Sequence, residues 1–172
     1  LDLRGDTLFV IPMDSIYYYQ IGVRDVWGLE SYSNVIKGDY PVKIWGQEYS
    51  MIATRDVDLS SMKLFGEIPP EFGELLNLEI LRLQNNFLTG PFPETFLDLK
   101  KLRSLNLSNN QFSGRIPRSI KKLISLEELW LSNNQFSGKL PYQIFMLENL
   151  THLNMSDNKI NGYLSESISR LS

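Results

Sequence analysis

One histidine, His152, and two aspartates on alternate residues, Asp56 and Asp58, are the side chains of this 172-residue chain that could begin a reaction. A histidine becomes a useful base when a hydroxyl or thiol nucleophile stands beside it. The chain has no cysteine, no Gly-x-Ser-x-Gly turn and no phosphate-cradling glycine loop, so His152 is given no such partner. Asp56 and Asp58 fall on one face of a strand and suggest acid and base work, yet two carboxylates alone do not complete a divalent-cation site. The chain is therefore read as a non-enzyme, with no catalytic residue, no cofactor and no metal site.

Binding chemistry is better represented. Trp130 is a large aromatic in a polar setting, with Arg82, Glu128 and His152 at related positions, and an exposed tryptophan ringed by mixed charges is the composition of an interface hot spot. The competing reading is that Trp130 packs on its neighbours or on a glycan. Three Asn-x-Ser/Thr sequons, at Asn106, Asn149 and Asn154, are glycan acceptors if the protein is secreted. The net charge of −3, with both signs interspersed, lacks the basic patch that a nucleic-acid partner requires. No run approaches the ~18 apolar residues that span a bilayer, so this segment is not itself membrane-inserted.

What must position these residues is a repeat. Val57, Leu81, Leu105, Leu129 and Leu153 superpose with a constant shift of 24 residues, and two residues later come Leu59, Leu83, Leu107, Leu131 and Met155. That alternation predicts a short half-buried strand opening each unit. Asn86, Asn110, Asn134 and Asn158 follow three residues on, with Met62 as the exception in the first unit. A carboxamide both donates and accepts, so stacked copies can pair backbone groups at the bend after the strand. Met62 cannot, and its unit is expected to close the bend otherwise or to be less regular. The invariant Gly66, Gly90, Gly114, Gly138 and Gly162 imply a positive φ or a close backbone approach. The Ile-Pro or similar pairs after them suit an exposed return segment.

Each unit is too short to bury its own apolar face, so the core forms by stacking. The fold expected is a solenoid with a parallel β-ribbon on the concave side. Irregular or 3₁₀ turns on the convex side carry Phe72, Phe96, Ile120, Ile144 and Ile168. Three columns face out from the ribbon: Asp56, Ile80, Ser104, Glu128, His152; then Asp58, Arg82, Asn106, Trp130, Asn154; then Ser60, Gln84, Ser108, Ser132, Ser156. All three are expected to meet solvent.

The stretches Val57 to Pro69, VDLSSMKLFGEIP, and Leu105 to Pro117, LNLSNNQFSGRIP, resemble the LxLxxNxLxGxIP repeat of plant leucine-rich-repeat receptors. Residues 1–12, LDLRGDTLFVIP, resemble a damaged copy with Asp6 at the Asn position. Residues 13–50 lose the period and hold six of the eight Tyr and two of the three Trp but no Phe, which reads as an inserted island. Residues 51–172 then hold five 24-residue repeats and the start of a sixth. Plant receptor-like proteins carry such an island shortly before their last repeats, and Gly46-Gln47-Glu48-Tyr49 is similar to its end. The island offers Tyr17, Tyr18, Tyr19, Trp27 and Trp45 as contact candidates, most of them expected to pack the island itself.

The resemblance implies an extracellular segment of a membrane-anchored receptor on the outer side of the plasma membrane. Its partners would be a peptide or protein ligand and a co-receptor kinase ectodomain, in defence or developmental signalling. Asp58, Arg82, Gln84, Glu128, Trp130 and His152 are the concave-face candidates for that contact. A soluble inhibitor or scaffold of the secreted or cell-wall kind, built on the same repeat, is the alternative. Opening on Leu1 within a repeat, and stopping where another would begin, the chain reads as a piece of a longer protein.

Overall fold

The structure is a computed structural model that describes residues 7–13, 18–24, 30–32 and 36–37 by their backbone, and 41–161 with their side chains. The chain divides into two compact units, Leu1–Tyr40 and Pro41–Ser172. In the first, β1 (Thr7–Met13) pairs antiparallel with β2 (Tyr18–Arg24), Thr7 opposite Arg24 and Met13 opposite Tyr18. Short strands β3 (Glu30–Tyr32) and β4 (Ile36–Lys37) also pair with β2. β1 overlaps the span read as a damaged repeat, and it pairs antiparallel where the described return segments of the repeats pair in parallel. Val10 stands where every repeat has glycine. A β-branched residue resists positive φ and favours extended backbone.

The second unit opens with a hairpin of β5 (Pro41–Ile44) and β6 (Gln47–Ser50), joined by Trp45 at φ 47° and Gly46 at φ 82°. Two left-handed residues make the tight turn whose twist matches the strands. Val42 and Ile44 point inward at 3% and 0% exposure while Lys43 between them is exposed, and the Trp45 ring meets Phe72 edge-on at 5.7 Å. The hairpin thus closes the core of the first repeat. Residues 41–50, assigned by sequence to the island, share a compact unit with the repeats.

Five three-residue strands then form one parallel ribbon: β7 (Asp56–Asp58), β9 (Ile80–Arg82), β11 (Ser104–Asn106), β13 (Glu128–Trp130) and β15 (His152–Asn154). Register follows the 24-residue shift throughout: Val57 lies opposite Leu81, Leu81 opposite Leu105, Leu105 opposite Leu129, and Leu129 opposite Leu153. Only the central residue of each strand points into the core, so the outer two are free to differ without loss of packing.

Beyond the ribbon each chain turns through the carboxamide ladder. Asn110 Nδ2 donates to the carbonyls of Leu83 and Leu107, at 2.9 and 3.2 Å, and its Oδ1 accepts the Leu88 N–H at 3.0 Å. Asn86, Asn134 and Asn158 repeat this set one unit apart. Each asparagine therefore serves the bend of the unit before its own. Leu59 O and Leu64 N of the first unit are paired by Asn86, which is why Met62 costs that unit nothing inside. The irregularity expected there is present outside: Ser61 and Lys63 both have positive φ, at 58° and 57°, whereas later units use one such residue, Asn85, Asn109, Asn133 or Asp157.

The return segments form a second set of short parallel pairs that the sequence pattern had not disclosed. β8 (Phe65–Gly66) pairs with β10 (Phe87–Leu88), and β12 (Ser113–Gly114), β14 (Gln135–Lys139) and β16 (Lys159–Asn161) pair in turn. The 3₁₀ turns η1 (Pro70–Glu74), η2 (Glu94–Asp98), η3 (Arg118–Lys122) and η4 (Tyr142–Met146) follow, each closed by a carbonyl from the preceding proline. They carry Phe72, Phe96, Ile120 and Ile144 inward, all at 0% exposure. Phe72 and Phe96 meet edge to face at 5.8 Å, and Phe112 stacks on Phe136 at 6.1 Å.

Two outcomes follow in urea unfolding. Asn110→Ala should lose about 2–3 kcal/mol, because buried groups of two repeats lose partners together, while Met62→Asn should change stability by less than about 0.5 kcal/mol. Phe96→Ala should lose about 3–5 kcal/mol through the cavity left between adjacent turns.

Candidate functional site

The ribbon's outward residues build a shallow depression of about 350 Å³. Its floor is Ser104 and Asn106 of the third repeat, small side chains between larger ones: Ile80, Arg82 and Gln84 on one side, Glu128 and Trp130 on the other. The depression exists because strand register puts two short residues between two long ones, and β11 needs only Leu105 for its own packing.

Arg82 Nη1 lies 2.8 Å from Asp56 Oδ1 and 4.0 Å from Asp58 Oδ2. The two aspartates singled out for acid and base work are thus drawn to one guanidinium. Asp58 Oδ1 also accepts the Ser60 N–H at 3.0 Å, and that backbone bond, then the Ser60 hydroxyl, holds its carboxyl below the ordinary carboxylate range, with Arg82 a smaller contributor. Glu128 accepts from the Ser104 hydroxyl at 2.9 Å. Trp130 is half-buried, and its ring stacks on His152 at 6.1 Å and 26°, while His152 Nδ1 lies 2.9 Å from Thr151 Oγ1.

The third outward column departs from expectation. Ser108 and Ser132 are buried at 7% and 8% exposure and bonded to each other at 3.1 Å, because the Asn106 side chain accepts the Ser108 N–H and draws the strand end into the bend. Gln84 belongs to this column, half-buried, with its Oε1 enclosed and without a partner. Of the sequons, Asn106 and Asn154 each accept the N–H two residues on, and Asn149 Nδ2 donates to the Ile124 carbonyl. Among the island candidates, Tyr18 and Tyr19 lie on β2, Trp45 turns the hairpin, and Tyr17 and Trp27 fall outside the described residues.

Sequence reasoning passed over the rim. Arg55 pairs with Glu79 at 3.3 Å, and Arg103 meets Glu127 through two bonds of 2.9 and 3.0 Å. The bidentate Glu127 partner raises the Arg103 pKa, and Arg103 lowers that of Glu127. The signal was present, since positions 55, 79, 103 and 127 alternate Arg and Glu at the repeat spacing. Among the described residues no three His, Cys, Asp or Glu side chains gather as a metal site would require, and no helix is long and apolar enough to cross a membrane.

Comparison with known proteins now places the chain. The leucine-rich-repeat family model matches residues 76–136, and a second leucine-rich-repeat model matches 149–171. No curated protein sequence matches. Among solved structures, the chain is similar to the ectodomain of the Arabidopsis receptor kinase HAESA in complex with an N-terminally extended IDA peptide hormone. That likeness has a TM-score of 0.65 and 34% identity, over 68% of this chain and 20% of that one. A chain of the BIR3–SERK2 complex from Arabidopsis thaliana matches with a TM-score of 0.64 and 32% identity, over 73% and 64%. The SOBIR1 receptor-kinase ectodomain from Arabidopsis thaliana matches with a TM-score of 0.64 and 26% identity, over 100% and 76%. The chain spans less than two thirds of the first two. Its fold is the leucine-rich-repeat solenoid, and its repeats are similar to those of plant receptor ectodomains.

The Asp58 environment is testable by NMR. Its carboxyl should titrate below the ordinary carboxylate range, and Arg82→Gln should raise that midpoint only slightly, because the Ser60 bonds dominate. A depressed folded-state pKa stabilises the fold above the ordinary carboxylate pKa, and the contribution fades as pH falls through it. Asp58→Asn, which keeps the turn geometry of Asn106 and Asn154, should flatten stability against pH in that window.

Proposed function

We propose that this chain is the extracellular recognition segment of a plant leucine-rich-repeat receptor, meeting a peptide or protein ligand or a co-receptor ectodomain through the concave ribbon. The observation that carries the reading is the depression floored by Ser104 and Asn106 beside the stacked Trp130–His152 pair. It joins an aromatic wall to polar groups held in place by their own hydrogen bonds, on strands that cannot move apart without breaking the core. Preorganised side chains on rigid elements lower the ordering cost of association. HAESA with its IDA peptide, and the BIR3–SERK2 complex, support the choice of partner classes. A peptide laid across the strands would contact Arg82, Glu128 and Trp130 in adjacent columns, with Asp58 and His152 at the two ends and Gln84 bordering the floor.

In this reading the protein is anchored at the plasma membrane and carries glycans at Asn106, Asn149 and Asn154, and its signalling serves defence or development. Asn154 shares a column with Trp130 and Asn106 floors the depression, so a glycan at Asn106 would occupy that floor and leave the ligand the Trp130–His152 wall, which favours a slender ligand over a bulky one.

Trp130→Ala should weaken binding of the cognate partner by about tenfold or more in calorimetric titration, as loss of an aromatic anchor does. Unchanged affinity would remove the concave face from the interface. Glycopeptide mass spectrometry of protein from the native source should find the sequons occupied, and three bare asparagines would count against an extracellular protein.

A further inference from the structure

A groove of about 750 Å³ lies away from the concave ribbon, where the return segments and 3₁₀ turns of the third and fourth repeats meet. Arg115, Arg118 and Lys139 line it and are exposed. Among the described residues none of the three has an ion-pair partner, although the ribbon's rim arginines do. The charge there is local, for the chain as a whole carries −3. The return segments and 3₁₀ turns of the first two repeats are acidic, with Glu67, Glu71, Glu74, Glu94 and Asp98 and no cation within residues 64–78 or 87–99. One column reads Glu67, Pro91, Arg115, Lys139, so its sign reverses along the solenoid. Gly138 makes room for this arrangement: a Cβ there would come within 3.1 Å of Arg115 Cγ and Nε, which lie across it.

The second, independent feature is Gln143. It lines the groove, is 6% exposed, and its Oε1 has no hydrogen-bond partner. An enclosed amide oxygen calls for a donor, and rotation of the amide would present donors instead. A fully ionised anion such as sulfate cannot donate, but a hydroxyl can do both. Beside it Tyr142 is 64% exposed and offers a ring face whose negative quadrupole attracts polarised C–H groups. Pro117 and Pro141 border the groove and have no N–H to pair with a peptide main chain.

We propose that this groove is a binding site for an acidic oligosaccharide. Its carboxylates sit on Arg115, Arg118 and Lys139, one sugar C–H face lies on Tyr142, and a hydroxyl meets the Gln143 amide once that side chain rotates toward the groove. The three requirements, anionic groups, a flat C–H face and hydroxyl donors, coincide in every unit of a polyuronate, whereas a free phosphate has no C–H face and a polyaspartate has no hydroxyl. The site is separate from the concave face, and either can exist without the other.

Isothermal titration of the full chain with an oligogalacturonate of about ten units, at low salt, tests this. Saturable binding is expected, weakened about tenfold or more by the exposed double substitution Arg118→Gln with Lys139→Gln. It should also weaken on methyl esterification of the sugar and with Gln143→Leu, while Glu94→Gln in the acidic half leaves it unchanged. Circular dichroism of each variant should match the parent. Absence of saturable binding, indifference to the double substitution, or equal binding of a polyaspartate of matched charge would each overturn the proposal, the last by assigning the groove to an acidic protein segment.

Discussion

Each repeat in this solenoid depends on a carboxamide supplied by the next. Asn86, Asn110, Asn134 and Asn158 reach back to pair the carbonyl and N–H groups of the preceding bend, and no apolar residue of similar size could do so. A bend of this kind, with its polar backbone turned inward, has no water to fall back on. Unpaired, its groups would penalise the fold at every unit. The arrangement also makes stability cumulative. A unit is complete only with a neighbour on one side for its polar bend and on both sides for its apolar face, so the stack behaves as a chain of nearest-neighbour contacts.

This constraint fixes the binding surface as well. Because strand register is locked at 24 residues by Leu, Gly and Asn positions that cannot slip, outward residues separated by that interval become neighbours in space. Arg82 meets Asp56, Glu128 meets Ser104, and Trp130 meets His152 for no reason visible in their local sequence. A conserved core geometry leaves the outward face free to vary residue by residue, and that separation suits a recognition scaffold. The same independence lets the return side carry an unrelated charge pattern, acidic over two repeats and basic over the next two.

How much was legible depended on whether a position recurred. Ribbon, bend, glycine turn and 3₁₀ return all repeat, and five weak signals at fixed spacing add up to one strong one. Residues 1–50 occur once, so they offered a single partial repeat match, the short Gly46–Tyr49 resemblance and an aromatic composition. Their pattern did not disclose the antiparallel pairing of β1, nor that Val42 and Ile44 alternate inward to close the first repeat. Trp45 was singled out as an aromatic contact, and its actual role in a left-handed turn beside Phe72 depends on a partner 27 positions away.

The sequence by itself determined the period, the parallel register and the residues that enter the core, because those follow from spacing and from side-chain volume. Tertiary structure decided which outward groups are available. Ser108 and Ser132 sank into the bend, Arg82 became engaged by two carboxylates, and Gln84 and Gln143 each kept an enclosed oxygen without a partner. Availability is a property of neighbours one repeat away, set by curvature and by hydrogen-bond competition between units. No single unit's sequence encodes it.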